Sequence, residues 1–154
     1  MEINLYNVDL MVALFGKPEA VRYFANRHPN GIDTSGIAVL QYPDFLCQCM
    51  GAKDTDAVNS VQILGEKGSI YVEGGSNGCK RVLLNRKQDT CVLAKEAPKN
   101  QWEQEVQGWV ELIQSGDYAE CIRRMEQTLA VVETLEAARK DAGIRFPSDE
   151  EKQY

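Results

Sequence analysis

The sequence predicts an α+β fold, a mostly antiparallel open sheet with its helices gathered on one face, and three observations predict it. An amphipathic helix opens the chain, a run of short alternating segments joined by tight turns fills the middle, and two amphipathic helices close it. In residues 4 to 15, Leu5, Val8, Val12 and Phe15 recur at helical spacing, and Gly16 and Pro18 stop the helix. Strand signals follow. Val21, Tyr23 and Ala25 alternate with Arg22 and Phe24, and Asn30-Gly31 is a turn dipeptide. Ile37 and Val39 alternate with Ala38, Leu40 and Tyr42; Tyr42-Pro43-Asp44-Phe45 makes a tight turn into Cys47 and Cys49. Segments 61–64 and 69–73 flank Gly65-Glu66-Lys67-Gly68 as a hairpin, with weaker strands at 81–84 and 91–93. Trp102, Val106, Trp109, Val110 and Ile113 then mark one helix, and Tyr118, Ile122, Met125, Leu129 and Val132 a second that runs to about Asp141, with Gly143 closing it.

Composition narrows the function classes. The 154 residues are 44% hydrophobic and 26% charged, as in one ordinary globular domain. The formal net charge of -6 disfavours nucleic acid, whose phosphates need a basic footprint. No apolar run reaches the length of a membrane span, and no signal peptide opens the chain. Five cysteines, an odd number, without a secretion signal point to reduced thiols and a cytoplasmic location. Cys47-x-Cys49 has the wrong spacing for a zinc site, so no metal is expected, and on a strand the two thiols share a face. His28 sits in a turn and is expected to be exposed.

The first helix is where chemistry is expected. At about 100° per residue, Glu2, Tyr6, Asp9 and Ala13 fall in one narrow wedge, apart from the apolar one. Two carboxylates and a phenol on one side suit acid–base work. The alternative is that Glu2 and Asp9 are solvated and Tyr6 packs at the edge of the core. Asp9 and Asn7 are the candidates for substrate binding; Asn7 and Asn4 lie on a different side of the helix, where packing or capping is the alternative.

Several segments in order resemble the C-terminal domain of Gfo/Idh/MocA oxidoreductases. Glu2 to Leu10 followed by Leu14-Phe15-Gly16-Lys17-Pro18-Glu19-Ala20-Val21 is similar to the opening helix of that domain and its exit. Asp33-Thr34 before a strand ending in Tyr42, the hairpin Ile63 to Ile70, and Thr128 to Ala138 match its later elements. The resemblance implies that Tyr6 occupies the acid–base position and Glu2 the place usually held by aspartate, one methylene shorter. It also implies an N-terminal Rossmann domain binding NAD or NADP, with a lysine that helps activate the substrate hydroxyl. That domain is expected outside this chain. No Gly-x-Gly-x-x-Gly follows a strand here, and Gly74-Gly75-Ser76-Asn77-Gly78 has no helix after it. The abrupt helix at residue 4 fits a truncation point.

Residues 1–154 are therefore expected to be the substrate-binding and oligomerisation domain of an NAD(P)-dependent oxidoreductase. The full protein would act on a sugar, cyclitol or related secondary alcohol by hydride transfer, and the isolated chain would be inactive and bind no cofactor. Its partners would be a small-molecule substrate, its own Rossmann domain, and further copies in a homodimer or homotetramer joined through the sheet. The alternative is a non-catalytic module of the same fold that binds a small ligand or dimerises. For the sheet, alternation leaves open which of Val39 and Leu40 faces away from the helices.

Overall fold

A computed structural model describes residues 4–95 and 101–149. The elements are α1 (Leu5–Phe15), β1 (Ala20–Arg27), β2 (Asp33–Gln41), β3 (Leu46–Ala52), β4 (Ser60–Gly65), β5 (Gly68–Glu73), β6 (Arg81–Arg86), β7 (Thr90–Lys95), α2 (Gln101–Ser115) and α3 (Tyr118–Asp141), with a final 3-10 turn at Pro147–Asp149. The fold is α+β and all strand pairing is antiparallel. The strands divide into two ladders, β1-β2-β3 and β4-β5-β6-β7. The chain accordingly forms two compact units, with boundaries at Asp56/Ala57 and Arg123/Arg124.

The first unit holds α1, the three-stranded sheet and most of α3. Its register sets Tyr23 opposite Ala38 and Ala38 opposite Cys49, and Val21 opposite Leu40 and Leu40 opposite Cys47. Strand alternation sends these residues to one face, where Tyr23, Ala38, Leu40 and Cys49 are buried together with Val8, Met11 and Val12 of α1 and Val131 and Ala138 of α3. Leu40 is completely inaccessible. The other parity carries Phe24, Ile37, Val39, Leu46 and Met50, so Val39 is the outward residue. Phe24, Leu46 and Met50 are 68%, 70% and 61% exposed.

The buried stripe of α1 differs from the one the spacing predicts. Asn4, Val8, Met11 and Val12 are buried, whereas Leu5 and Phe15 are more than one-third exposed. Both stripes have helical spacing, and a short helix with apolar residues on several sides is compatible with either. Burial of Met11 turns the helix by a fraction of a turn. Gly16 (φ 78°) ends α1 with its N–H on Val12 O at 2.9 Å. Phe15 stacks edge-on against Phe45, and Phe45 lies parallel to Tyr42, whose hydroxyl donates to Gly16 O at 3.0 Å. This aromatic group fixes the exit of the helix to the turn between β2 and β3.

Side chains from α3 finish the first unit. Asp141 accepts the Tyr23 N–H at 2.9 Å and an Arg22 N–H at 2.7 Å, and Lys17 pairs with Glu133. Arg139, nearly buried, is held by both carboxylate oxygens of Asp149, by Ile144 O and by the face of Phe146.

The second unit holds the four-stranded sheet, α2 and the first turn of α3. The β4–β5 hairpin turns at Glu66-Lys67, with Gly65 opposite Gly68. Its helix α2 has the predicted apolar stripe, but Trp102, Val106, Trp109 and Ile113 are all more than half exposed. Among the described residues, every buried apolar side chain belongs to the first unit.

Candidate active site

The site is built on the first two turns of α1. Asn4 stands at the N-cap, but its side chain makes no capping hydrogen bond and is wholly buried. It turns inward, and its Oδ1 accepts from Asn7 Nδ2 at 3.1 Å. Asn7 Nδ2 also donates to Met50 O on β3 at 3.1 Å. The anchored side of the helix is therefore polar at its start and apolar from Val8 onward.

Tyr6 projects from the open side and is half exposed. Asp9 lies three residues on, also exposed, and its carboxylate accepts from Gln127 Nε2 of α3 at 3.2 Å. Tyr6, Asp9 and Ala13 thus share an exposed face, as the spacing predicts. Glu2, the other carboxylate of that wedge, lies outside the described residues. Asn7 does not join this face: its amide hydrogens point to β3 and Asn4. What the wedge offers chemically is a solvent-accessible phenol next to a carboxylate whose orientation is set from α3.

Beneath the start of α1 lies a second polar group that periodicity did not single out. Tyr23 is only 3% exposed, and its hydroxyl donates to Asp33 Oδ2 at 2.7 Å. Burial and the adjacent carboxylate push the Tyr23 phenol well above its usual range, while the amide of Asn4 opposes that rise in small part. Among the described residues Asn4 Nδ2 is buried and makes no hydrogen bond of standard geometry. The sequence signals for this group were slight. Asp33 appears only as part of a motif, and an inward tyrosine on a strand looks like any core aromatic.

His28, Cys47 and Cys49 fall where the residues suggested. His28 is exposed in the β1–β2 turn, where its carbonyl accepts the Gly31 N–H. All five cysteines are free thiols. Cys47 and Cys49 share a face with their sulfurs 3.9 Å apart, and the neighbouring thiol together with burial holds Cys49 strongly protonated. Among the described residues no group of acidic, histidine or cysteine side chains has the arrangement of a metal site. The loop Gly74–Gly78 leads directly into β6, so this segment has no helix N-terminus to hold a pyrophosphate. No helix is long and apolar enough to cross a membrane among the described residues.

No protein-family model matches the chain. It is 36% identical over 84 residues to an uncharacterized oxidoreductase of Escherichia coli, a match covering 54% of this chain and 25% of that protein. It is 27% identical over 150 residues to scyllo-inositol 2-dehydrogenase (NADP(+)) of Bacillus subtilis, covering 97% of this chain and 46% of that one. These matches span half or less of the relatives' own length. Among solved structures, a 3-ketoreductase from Actinomadura kijaniata in complex with TDP-benzene and NADP superposes with a TM-score of 0.72 at 15% identity, over 91% of this chain and 46% of the other. The curated relatives are oxidoreductases, and in both sequence and fold the chain resembles the C-terminal domain of the Gfo/Idh/MocA oxidoreductases.

Proposed function

We propose that this chain is the substrate-binding and oligomerisation domain of an NAD(P)-dependent oxidoreductase acting on a secondary alcohol of a sugar or cyclitol. The observation that carries the reading is the open face of α1. It presents Tyr6 and Asp9, three residues apart, on one exposed face of a helix that is anchored to a sheet. The name of the Bacillus subtilis relative supports the class of substrate and cofactor.

In this reading a Rossmann domain elsewhere in the full protein binds the nicotinamide, which supplies the hydride acceptor or donor. Tyr6, with Glu2 as the second acid–base candidate, moves the proton of the reacting hydroxyl. A lysine of the other domain would supply the positive charge that lets a phenol give up its proton at neutral pH. Asp9, steadied by Gln127, accepts a hydrogen bond from a substrate hydroxyl. Further copies of the protein meet through the apolar outer face of the three-stranded sheet, in the cytoplasm.

The test is Tyr6→Phe in the full-length protein, assayed by steady-state oxidation of inositols and aldoses with NAD and NADP. Turnover is expected to fall roughly a hundredfold or more, the scale of one acid–base group, with substrate binding less affected. Near-normal turnover across the pH range would remove Tyr6 from the mechanism.

A further inference from the structure

We propose that Asn7 is a positioning residue: its side-chain amide clasps the first turn of α1 to the edge of β3 and so sets where Tyr6 stands. The proposal rests on the reading of Tyr6 given above. An asparagine amide carries two N–H groups, and here they face two acceptors, Asn4 Oδ1 and Met50 O, each at 3.1 Å. Met50 belongs to β3, an edge of the sheet in the order β1-β2-β3, so a side chain from the helix occupies a backbone group that strand pairing leaves over.

Asn4 completes the clasp. It sits at the N-cap, where its side chain would ordinarily accept a backbone N–H of the first turn. Instead it is wholly buried, with its oxygen on Asn7. That arrangement gives up a cap, which is unfavourable. What it supplies in return is an acceptor that fixes the orientation of the Asn7 amide.

The rest of the contact between α1 and the sheet cannot do this alone. Val8, Met11 and Val12 are buried, but apolar contact is non-directional and tolerates a small roll of the helix. Hydrogen bonds at 3.1 Å tolerate far less. A tyrosine hydroxyl stands about 9 Å from the axis of its helix, so a roll of about 10° carries it about 1.5 Å. A displacement of about 1 Å at a reacting group is enough to cost about a hundredfold in rate.

The experiment compares Asn7→Leu and Asn7→Ala with the parent in the full-length protein; the alanine removes both donors without adding bulk or charge, so a second variant is available if the leucine variant fails to fold. Two readouts are taken. Steady-state kinetics should show kcat lowered by roughly ten- to a hundredfold with KM changed less than about threefold. With 3-fluorotyrosine at position 6, the fluorine resonance should be a single line in the parent and shifted or broadened in both variants. A raised KM with kcat preserved would overturn the proposal in favour of direct substrate contact by Asn7. An unchanged fluorine line and unchanged kcat per folded molecule would overturn it in favour of a purely structural asparagine. The fluorine readout does not depend on Tyr6 being catalytic. Normal turnover of Tyr6→Phe together with a displaced line in the Asn7 variants would refute the functional reading and leave the clasp standing.

Discussion

Gly36→Ala should be far more damaging than a methyl group on a strand suggests. The Tyr23 ring leaves β1 diagonally and crosses Gly36 of β2, and a Cβ built there would lie within 2.6 Å of ring Cε2 and closer still to Cζ and the hydroxyl oxygen. The ring has no easy retreat, because it is 3% exposed and its hydroxyl is held by Asp33 at 2.7 Å. Forcing an extra carbon into a filled site costs about 1–3 kcal/mol. Pulling the hydroxyl off a carboxylate costs about 1.5–3 kcal/mol more. Alanine recovers about 0.5–1 kcal/mol of glycine's backbone entropy, which leaves a net loss of about 2–5 kcal/mol. With a urea m-value of about 2 kcal/mol/M for a chain of this size, the midpoint should fall by roughly 1–2.5 M. Urea denaturation followed by circular dichroism measures this, and hydrogen exchange of β1 and β2 amides locates it. The same substitution in a Tyr23→Val background should be neutral or stabilising, because the obstructing ring is gone. A loss below about 0.5 kcal/mol, or an equal loss in both backgrounds, would refute the reasoning.

Two further outcomes are expected. Burial pushes the Tyr42 phenol up to about 12, with the nearby thiols adding to the rise, so the folded state keeps it neutral while the unfolded chain ionises it near pH 10. Stability should therefore be level with respect to this group below about pH 10 and decline as pH rises from 10 to 12, by up to about 1.4 kcal/mol per pH unit; Tyr23 acts in the same direction. Tyr42→Phe should be less stable at pH 8, having lost its bond to Gly16 O, yet show a shallower alkaline decline in urea melts at stepped pH; an unchanged slope would exclude the assignment. In light scattering across a dilution series, Val39→Glu or Phe24→Glu should weaken self-association while preserving the fold, whereas Leu40→Glu, at a completely buried position, should unfold the first unit. A parent that stays monomeric at every concentration would remove the sheet face as an interface.

The order and type of elements were legible because their signals are local. Gly16, Asn30-Gly31, Tyr42-Pro43-Asp44-Phe45 and Gly65 to Gly68 all turn the chain where glycine and proline chemistry says they should, and the strands between them alternate. Tyr6 and Asp9 were placed in one wedge by the helical angle alone, and the packing of the helix leaves that wedge exposed. Three things were not legible. Alternation gives two faces but not which is inner, so the choice between Val39 and Leu40 waited for the packing of α1 and α3. The division of the strands into two ladders depends on pairing across sequence distance, for which no residue between Ala52 and Ser60 gives a sign. The roles of Asn4, Asn7 and Gln127 rest on hydrogen bonds to positions 43 and 118 residues away or on a side chain turned against its local preference, and a single-element reading cannot see these.

The first unit's sheet also suggests how copies of the chain can and cannot meet. A three-stranded sheet has two edges, each offering backbone groups to a foreign strand. On β1 the outward N–H of Tyr23 is taken by Asp141, and Arg22 beside it is drawn into the same carboxylate. On β3 the outward carbonyl of Met50 is taken by Asn7. Both edges thus have a central group already occupied by a helix of the same chain, which makes strand addition costly on either side. The outer face is different. Phe24 pairs with Ile37 and Ile37 with Met50, an apolar row across all three strands, flanked by Val39 in the next row and Leu46 beyond it. A row of that kind buries apolar area without consuming backbone hydrogen bonds. The face therefore favours packing sheet against sheet, and a two-fold arrangement would let one such row meet its own copy.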